Sequence, residues 1–211
     1  MLDPLQKEFL ERFFIHENHF FLTGGAALAG YYLRHRRTQD LDLFTMEDEI
    51  EAGKNAIQAV AKEIGAVVEA LQTSPDFRRM LVRRGKDAIV VDLVHEYVFQ
   101  ITPEKPIIGG IRVDSPEEIL ANKLCALLSR SEVRDLVDVR ALERAGYSIE
   151  DAMGAAQKKD SGLTPALLAW VLQDIRLGDD LVPPGDVSVA DLRDYLRDLE
   201  TRLVAMSFPK K

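Results

Sequence analysis

Two aspartates stand one residue apart in the segment RRTQDLDLFT (36–45), where Asp40 and Asp42 alternate with Leu41 and Leu43. Alternation with a period of two is typical of a β-strand, and it puts both carboxylates on one strand face and both leucines on the other. Strands disfavour aspartate, and two carboxylates whose Cα atoms lie about 6.5 Å apart repel each other unless a cation lies between them. The spacing therefore predicts a cation site, whose hard oxygen ligands favour Mg²⁺ or Mn²⁺.

A third carboxylate, Asp92, interrupts the apolar run IVVDLV, where an uncompensated charge would be costly to bury. If this run forms a strand beside that of Asp40 and Asp42, three acids converge, which is the requirement of a two-metal phosphoryl-transfer site. The alternative for Asp92 is a solvent-facing charge on an edge strand. The alternative for the other two is a turn in which they pair with Arg36 or Arg37.

Upstream, the segment FFLTGGAALAG predicts a strand, a turn at Gly24-Gly25 and a helix of small residues. Glycines allow close approach of the backbone, and a helix N-terminus attracts anions through free N–H groups and its dipole. A triphosphate held at this turn would lie beside the predicted metal ions. A Gly-Gly turn alone is common, but the Asp-x-Asp strand that follows makes the combination more specific.

Two further charged positions lie in the second half of the chain. Lys123 is four residues from an apolar residue on either side, so it projects from the margin of an apolar helical stripe. Asp135 and Asp138 lie one turn apart on one face of the next helix. The alternatives are that Lys123 extends along its own helix towards solvent, and that Asp138 forms an i,i+4 ion pair with Arg134.

The elements that must position these residues change in character along the chain. Three consecutive strands near residues 66–94, separated by turn signals, predict an antiparallel meander. Ser115 followed by Pro116 is typical of a helix start, and only helices are predicted after it, with Trp170 in their core. We therefore predict an α+β fold in which a mixed sheet with flanking helices precedes a helical domain. The predicted domains are 1–110 and 111–211, with the active site in the cleft between them.

Composition limits the remaining interpretations. The chain of 211 residues has a formal net charge of −8, which excludes a wholly electrostatic nucleic-acid binder. Its single cysteine, Cys125, excludes an internal disulfide and a cysteine-based zinc site. The first residues lack the pattern of a signal peptide, and no apolar run approaches the ~18 residues of a membrane span. We therefore expect a cytoplasmic protein with no membrane partner.

The segments FFLTGGAALAGYYLRHRRTQDLDLFT, VVDLV and KLCALLSRSEVRDLVDV together resemble the AbiEii/AbiGii toxin family of nucleotidyltransferases. This family belongs to the polymerase-β-like superfamily, and the resemblance covers roughly residues 15–145. It implies a polymerase-β-like fold, divalent metal ions and transfer of a nucleotide from an NTP. The implied acceptor is RNA, including tRNA ends, or the protein itself. The resemblance also implies a toxin with a cognate antitoxin.

The resemblance assigns roles residue by residue. It implies nucleotide binding by the Gly-Gly turn, by the arginine and the hydroxyl residue before the acids, and by the lysine that begins KLCALLSR. These residues are Gly24, Gly25, Arg36, Thr38 and Lys123. Asp40 and Asp42 match the first and second acids, and Asp135 matches the aspartate of the family's last motif, which is RDLVD in this chain. The predicted metal ligands are Asp40, Asp42 and Asp92. The predicted catalytic residues are these three aspartates together with Lys123 and Asp135. Ala26 departs from the family, which commonly has Thr or Ser there.

Three hypotheses for function follow. The first is in-line attack of an RNA hydroxyl on the α-phosphate of an NTP, with Lys123 neutralising phosphate charge. The second is the same transfer to a protein or to a small molecule such as an aminoglycoside. The third is a catalytically silent nucleotide-binding module. If the acceptor is RNA, the candidates for a local basic rim are Arg34, Arg36, Arg37, Arg78, Arg79, Arg83 and Arg84.

Overall fold

The computed structural model describes residues 1–208 of the chain and divides it into two compact units. The first unit contains Met1–Val98 and Thr102–Ser115, and the second contains Phe99–Ile101 and the chain from Pro116 onward. The predicted division at residues 110 and 111 stays a prediction. The last three residues of the predicted domain 111–211 lie outside the described residues.

The first unit is built around a mixed sheet of five strands in the order β1-β2-β5-β4-β3. Its elements are α1 (Pro4–His16), β1 (Phe20–Thr23), α2 (Gly24–Ala27), β2 (Asp40–Thr45), α3 (Ile50–Glu63), β3 (Val67–Ser74), β4 (Phe77–Arg84), β5 (Asp87–His95), β6 (Ile107–Ile108) and β7 (Ile111–Arg112). β2 and β5 pair in parallel, and the other neighbours in the large sheet are antiparallel. The predicted meander is therefore present as β3, β4 and β5.

Among its described residues the second unit contains helices but no strand. Its helices are α4 (Pro116–Arg130), α5 (Val133–Arg144), α6 (Ile149–Lys159), α7 (Pro165–Leu172) and α8 (Val189–Met206). A mixed sheet with helices, followed along the chain by helices alone, confirms the predicted α+β fold class. Among the described residues, no helix is both long and apolar enough to span a bilayer.

One face of the large sheet is buried against α1 and α3. Leu41 and Leu43 of β2 are fully buried, and Leu43 lies opposite Leu93 of β5 in the strand register. Leu93 and Phe20 approach α3 so closely that a Cβ at Gly53 would lie within 3.2 Å of both side chains. Because side chains alternate along a strand, the aspartates of β2 project from the opposite face.

The fold corrects two expectations and adds one element that was not predicted. The sequence predicts a helix over AALAGYYLRHR (26–36), but it ends earlier, since α2 continues only as a π-helical turn over Leu28–Tyr32. The two-stranded hairpin of β6 and β7 was not predicted, although its Gly109-Gly110 turn takes positive φ angles of 61° and 83°. The prediction that Trp170 is a core residue is wrong, because its side chain is 63% exposed.

Candidate active site

The two strands that carry the three acids are neighbours. β2 and β5 pair in parallel, with Asp42 directly opposite Asp92 and Asp40 opposite Val90. Directly opposed residues of paired strands project from the same face, so Asp40, Asp42 and Asp92 share one face of the sheet. The predicted convergence of the three aspartates required that β2 and β5 be neighbours, and the structure has this pairing. Their role as metal ligands and catalytic residues stays a prediction.

Asp92 is bound by an arginine of the next strand. Arg79 lies opposite Asp92 in the register of β4 and β5. Its Nε donates to Asp92 Oδ1 at 2.9 Å and its Nη2 donates to Oδ2 at 2.6 Å. The hydrogen bonds to Asp92 raise the pKa of the Arg79 guanidinium, and the charges of Asp40 and Asp42 raise it further. Arg79 thus lies within the electrostatic reach of all three acids.

The Gly-Gly turn approaches the second acid directly. Gly24 follows β1 and takes a φ of +64°, a conformation that other residues rarely adopt. A Cβ at Gly24 would lie 2.5 Å from Asp42 Oδ2, so no larger residue fits there without moving the carboxylate or the turn. Glycine is therefore required at this position both by backbone conformation and by the proximity of Asp42.

Arg36 and Thr38, both predicted nucleotide-binding residues, belong to the segment that leads into β2. The Arg36 side chain is mostly buried, and its guanidinium lies against the backbone of Gly25, where a Cβ would collide with Nη2. Its Nη1 donates to the Arg37 carbonyl oxygen at 3.0 Å. Thr38 Oγ1 donates to the carbonyl oxygen of Asp40 at 3.3 Å. Both residues therefore contact the turn or the acid strand, while nucleotide contact stays a prediction.

Several arginines proposed for a basic rim are engaged by acids within the first unit. Arg78 Nη2 donates to Glu51 at 2.8 Å and Arg84 Nη1 donates to Glu8 at 2.7 Å, in addition to the pair of Arg79 with Asp92. Arg37 and Arg83 are exposed. Arg83 follows Arg79 by four residues on β4, so it lies on the face that carries the acids.

In the second unit, Lys123 is buried between two carboxylates. Its Nζ lies 2.6 Å from Asp135 Oδ1 and 2.7 Å from Asp138 Oδ2, and both aspartates are fully buried. Arg130 binds Asp135 as well, through Nε to Oδ2 at 2.7 Å and Nη2 to Oδ1 at 3.0 Å. Lys123 and Arg130 thus bring two positive charges to the two buried carboxylates.

Asp135 is ionised because of these partners. Burial by itself would raise the pKa of Asp135, but the hydrogen bonds and charges of Arg130 and Lys123 outweigh it and lower that pKa. The helical unit therefore holds the Lys123 ammonium in an ionic network. The predicted catalytic roles of Lys123 and Asp135 remain predictions.

Another group of ligand atoms lies at the other end of β1 and β2. His19, Glu47 and Glu49 each offer an atom within 4.8 Å of the others, and they are the one such group of three among residues 1–208. The hydrogen bond that the imidazole makes to the Glu17 carboxylate raises the pKa of His19, and the charges of Glu47 and Glu49 add to the effect. Phe20 pairs with Thr45 next to this group, whereas Thr23 pairs with Asp42 at the Gly-Gly turn. The group is thus separate from the three aspartates.

Sequence reasoning missed several residues around the acids. Arg79 was considered only as a rim residue, and no role was predicted for Thr23, Lys105 or Asp114. Lys105 Nζ lies 2.7 Å from Asp114 Oδ1, and both side chains are almost completely buried. A lysine and an aspartate nine residues apart in a Pro- and Gly-rich segment give no local signal of pairing, because the segment between them has no helical or strand period.

Several solved structures share this fold, and one of them is a nucleotidyltransferase toxin. The nucleotidyltransferase toxin MenT4 of Mycobacterium tuberculosis H37Rv is 16% identical, with 95% of this chain and 82% of that chain covered and a TM-score of 0.63. JHP933 from Helicobacter pylori is 19% identical over 96% and 92%, with a TM-score of 0.57. The antibiotic-resistance factor ANT(2'')-Ia is 15% identical over 74% and 89%, with a TM-score of 0.51. At these identities the likeness establishes the fold.

The fold, with paired carboxylates next to a Gly-Gly turn, is that of the nucleotidyltransferases. The family model described as nucleotidyl transferase AbiEii toxin, type IV toxin–antitoxin system, matches residues 8–205. The chain therefore belongs to the AbiEii family, as its motifs predicted, and is a nucleotidyltransferase of the toxin type. No curated protein sequence matches it significantly.

Proposed function

We propose that the protein transfers a nucleotide from an NTP to an acceptor hydroxyl, in a reaction that depends on Mg²⁺ or Mn²⁺. One observation carries the proposal: Asp42 lies opposite Asp92 on one sheet face, and the Gly24 backbone lies against the Asp42 carboxylate. A turn that can bind phosphate thus stands next to acids that can bind a metal ion.

The donor set fits a hard divalent cation. Asp40, Asp42 and Asp92 offer carboxylate oxygens on one face, and Arg79 compensates part of their charge. In this proposal the three aspartates hold Mg²⁺, which when bound supplies positive charge to the triphosphate and to the attacking oxygen. Backbone N–H groups at Gly24 and Gly25 bind phosphate oxygens, a role that does not need the hydroxyl that Ala26 lacks.

The proposed reaction is an in-line displacement. The acceptor hydroxyl gives its proton to one of the aspartates on the shared sheet face, its oxygen forms a bond to the α-phosphorus, and the bond from that phosphorus to the bridging oxygen breaks so that pyrophosphate leaves. Arg36, Thr38 and Lys123 are assigned to the nucleotide through their match to the family motifs. Asp135 is assigned to holding Lys123, which it contacts at 2.6 Å.

The proposed acceptor is RNA, with tRNA as the first candidate, and the proposed partner is a cognate antitoxin. Membership of a type IV toxin–antitoxin family supports the antitoxin. The exposed Arg37 and Arg83 support an RNA acceptor, because Arg83 lies on the sheet face of the acids and offers a local positive charge. We place the reaction in the cytoplasm, where NTPs and RNA meet.

The decisive experiment is transfer of radiolabel from each of the four NTPs to total RNA, purified tRNA, protein and small molecules including aminoglycosides. We expect labelled RNA with wild type and none with Asp42→Asn. Asp87→Asn, an exposed carboxylate on β5, is the matched control and should label as wild type does. Label on protein or on a small molecule would replace RNA as the acceptor. Nucleotide binding without any transfer would indicate a silent module.

Toxicity is tested separately in a bacterial host. Expression of the wild-type protein should slow growth. Expression of Asp40→Ala at the same level of soluble protein should leave the growth rate normal. Equal growth of the two strains would contradict the proposal that the protein acts as a toxin in that host, while the transferase proposal would still depend on the labelling result.

A further inference from the structure

We propose that Asp114 is a positioning residue for the Gly24-Gly25 turn and that it acts through Thr23. The inference rests on the proposed function, because it takes the turn as the site that binds the triphosphate. It adds a buried charged group, outside the motifs of the sequence, that determines where the turn lies relative to the acids.

Thr23 connects the turn to the acid strand and to Asp114. It is the last residue of β1, directly before Gly24, and it pairs with Asp42 of β2. Directly opposed residues project from the same sheet face, so the Thr23 side chain lies on the face of the acids. Its Oγ1 donates to Asp114 Oδ2 at 2.5 Å, and the two residues are 3% and 1% exposed.

Asp114 is itself fixed from several directions. Its backbone N–H donates to the carbonyl oxygen of Leu22 at 2.8 Å, beside a parallel bridge between Leu22 and Val113. Its Oδ1 lies 2.7 Å from Lys105 Nζ, and that ammonium stands over the Phe21 ring at 4.5 Å from the centroid. The carboxylate that accepts the Thr23 hydrogen bond therefore has little freedom to move.

Stability alone is a weak reason for such a group. A buried ion pair contributes little net stability compared with apolar residues of the same volume, because both charges lose their hydration. A charge-assisted hydrogen bond, by contrast, is short and directional, so it orients the hydroxyl and the backbone that carries it. A displacement of about 1 Å in a group that positions substrate is sufficient to impair a reaction strongly. The Lys105–Asp114 pair thus serves to hold the turn in register with Asp42.

The test is a double-mutant cycle on nucleotide affinity, with Thr23→Val, Asp114→Asn and the double variant. Each NTP is titrated by calorimetry with Mg²⁺ and without acceptor, at a temperature where thermal unfolding shows every variant to be folded. Thr23→Ser keeps the hydroxyl. Thr45→Val is the matched control, since Thr45 is fully buried on β2 and its Oγ1 accepts the Glu47 N–H at 3.1 Å away from the turn. Binding of Mn²⁺ alone is measured in parallel.

We expect Thr23→Val to raise the NTP dissociation constant about tenfold, which corresponds to the loss of one hydrogen bond to a charged group. Asp114→Asn should raise the dissociation constant too, and the double variant should be no weaker than the weaker single variant. Thr23→Ser and Thr45→Val should bind NTP as wild type does, and Mn²⁺ binding should be unchanged throughout.

Wild-type NTP affinity in Thr23→Val, or fully additive losses in the double variant, would overturn the inference and leave the proposed function intact. A loss of thermal stability in Thr23→Val without a loss of NTP affinity would show a merely structural role. Absence of NTP binding by the wild type itself would overturn the proposed function and this inference together.

Discussion

Arg79 and Asp92 face each other across β4 and β5, and the guanidinium binds both oxygens of the carboxylate, at 2.9 and 2.6 Å. The carboxylate is buried, whereas the arginine side chain is 43% exposed. Asp92 lies in turn opposite Asp42. One register position across three strands therefore contains a cation and two acids, and Arg79 sets the net charge that a metal ion would meet.

Removal of the Arg79 charge should tighten metal binding. In Arg79→Met the three acids lose their adjacent cation, and an interaction of about 1 kcal/mol at 4 Å in water corresponds to about fivefold tighter Mn²⁺ binding. Mn²⁺ titration followed by electron paramagnetic resonance measures this. Arg83→Met removes an exposed charge farther along the same strand face and should have a smaller effect. Unchanged or weaker binding in Arg79→Met would contradict the prediction.

Replacement of Lys123 should destabilise the helical unit. Lys123→Met keeps the length of the side chain but leaves the buried Asp135 and Asp138 without the ammonium that contacts both. Removal of one partner from a buried ionic group costs about 3–5 kcal/mol. Urea unfolding measures the loss of free energy of unfolding, with Lys158→Met, an exposed lysine on α6, as control. Wild-type stability in Lys123→Met would contradict the prediction, because it would show that the buried carboxylates do not need this cation. If Lys123→Met is destabilised, a growth assay with Lys123 variants reports the loss of folded protein as well as any loss of catalysis.

Acid should destabilise the helical unit through Asp135. Its pKa is lowered in the folded protein because Arg130 and Lys123 outweigh burial. A carboxyl group with a lowered folded pKa contributes stability that is present above its unfolded pKa of about 3.9 and is lost as pH falls through the folded pKa. The melting temperature of wild type should therefore fall more steeply below about pH 4 than that of Asp135→Asn. Asp186→Asn, in an exposed loop, serves as control and should follow wild type. Parallel acid profiles of wild type and Asp135→Asn would contradict the prediction.

Salt dependence should reveal whether RNA contacts the exposed arginines. At a net charge of −8 the whole protein repels a polyanion, but local charges dominate within a Debye length of ~8 Å. If Arg37 and Arg83 each contact one phosphate of single-stranded RNA, the double alanine variant should flatten the slope of log K against log salt by about 1.4. Filter binding at several salt concentrations measures the slope.

Arg78→Ala is the matched control, because its guanidinium is held by Glu51 at 2.8 Å. It should leave the slope unchanged. An unchanged slope in the Arg37→Ala/Arg83→Ala variant would remove these two residues from the RNA site, and a protein or small-molecule acceptor would become the leading alternative.

Local patterns in the sequence determined the strands, the helices and the shared face of the first two acids. Asp40 and Asp42 alternate with leucines, and β2 has that alternation, with Leu41 and Leu43 buried and the aspartates on the other face. The turn signals near residues 75 and 86 likewise separate β3, β4 and β5. These features were predictable because side-chain alternation and turn chemistry depend on neighbouring residues.

Tertiary structure alone decided which strands meet. β2 pairs with β5 across forty-odd intervening residues, and this pairing puts Asp42 opposite Asp92. The pairing of β5 with β4 in turn puts Arg79 opposite Asp92. The partners of Lys105 and Lys123 are likewise set by packing. Trp170 was misassigned because every residue of α7 is apolar, so periodicity defines no buried face. Local sequence specifies the faces of an element, but contacts between distant elements depend on strand order and helix packing, which no short pattern encodes.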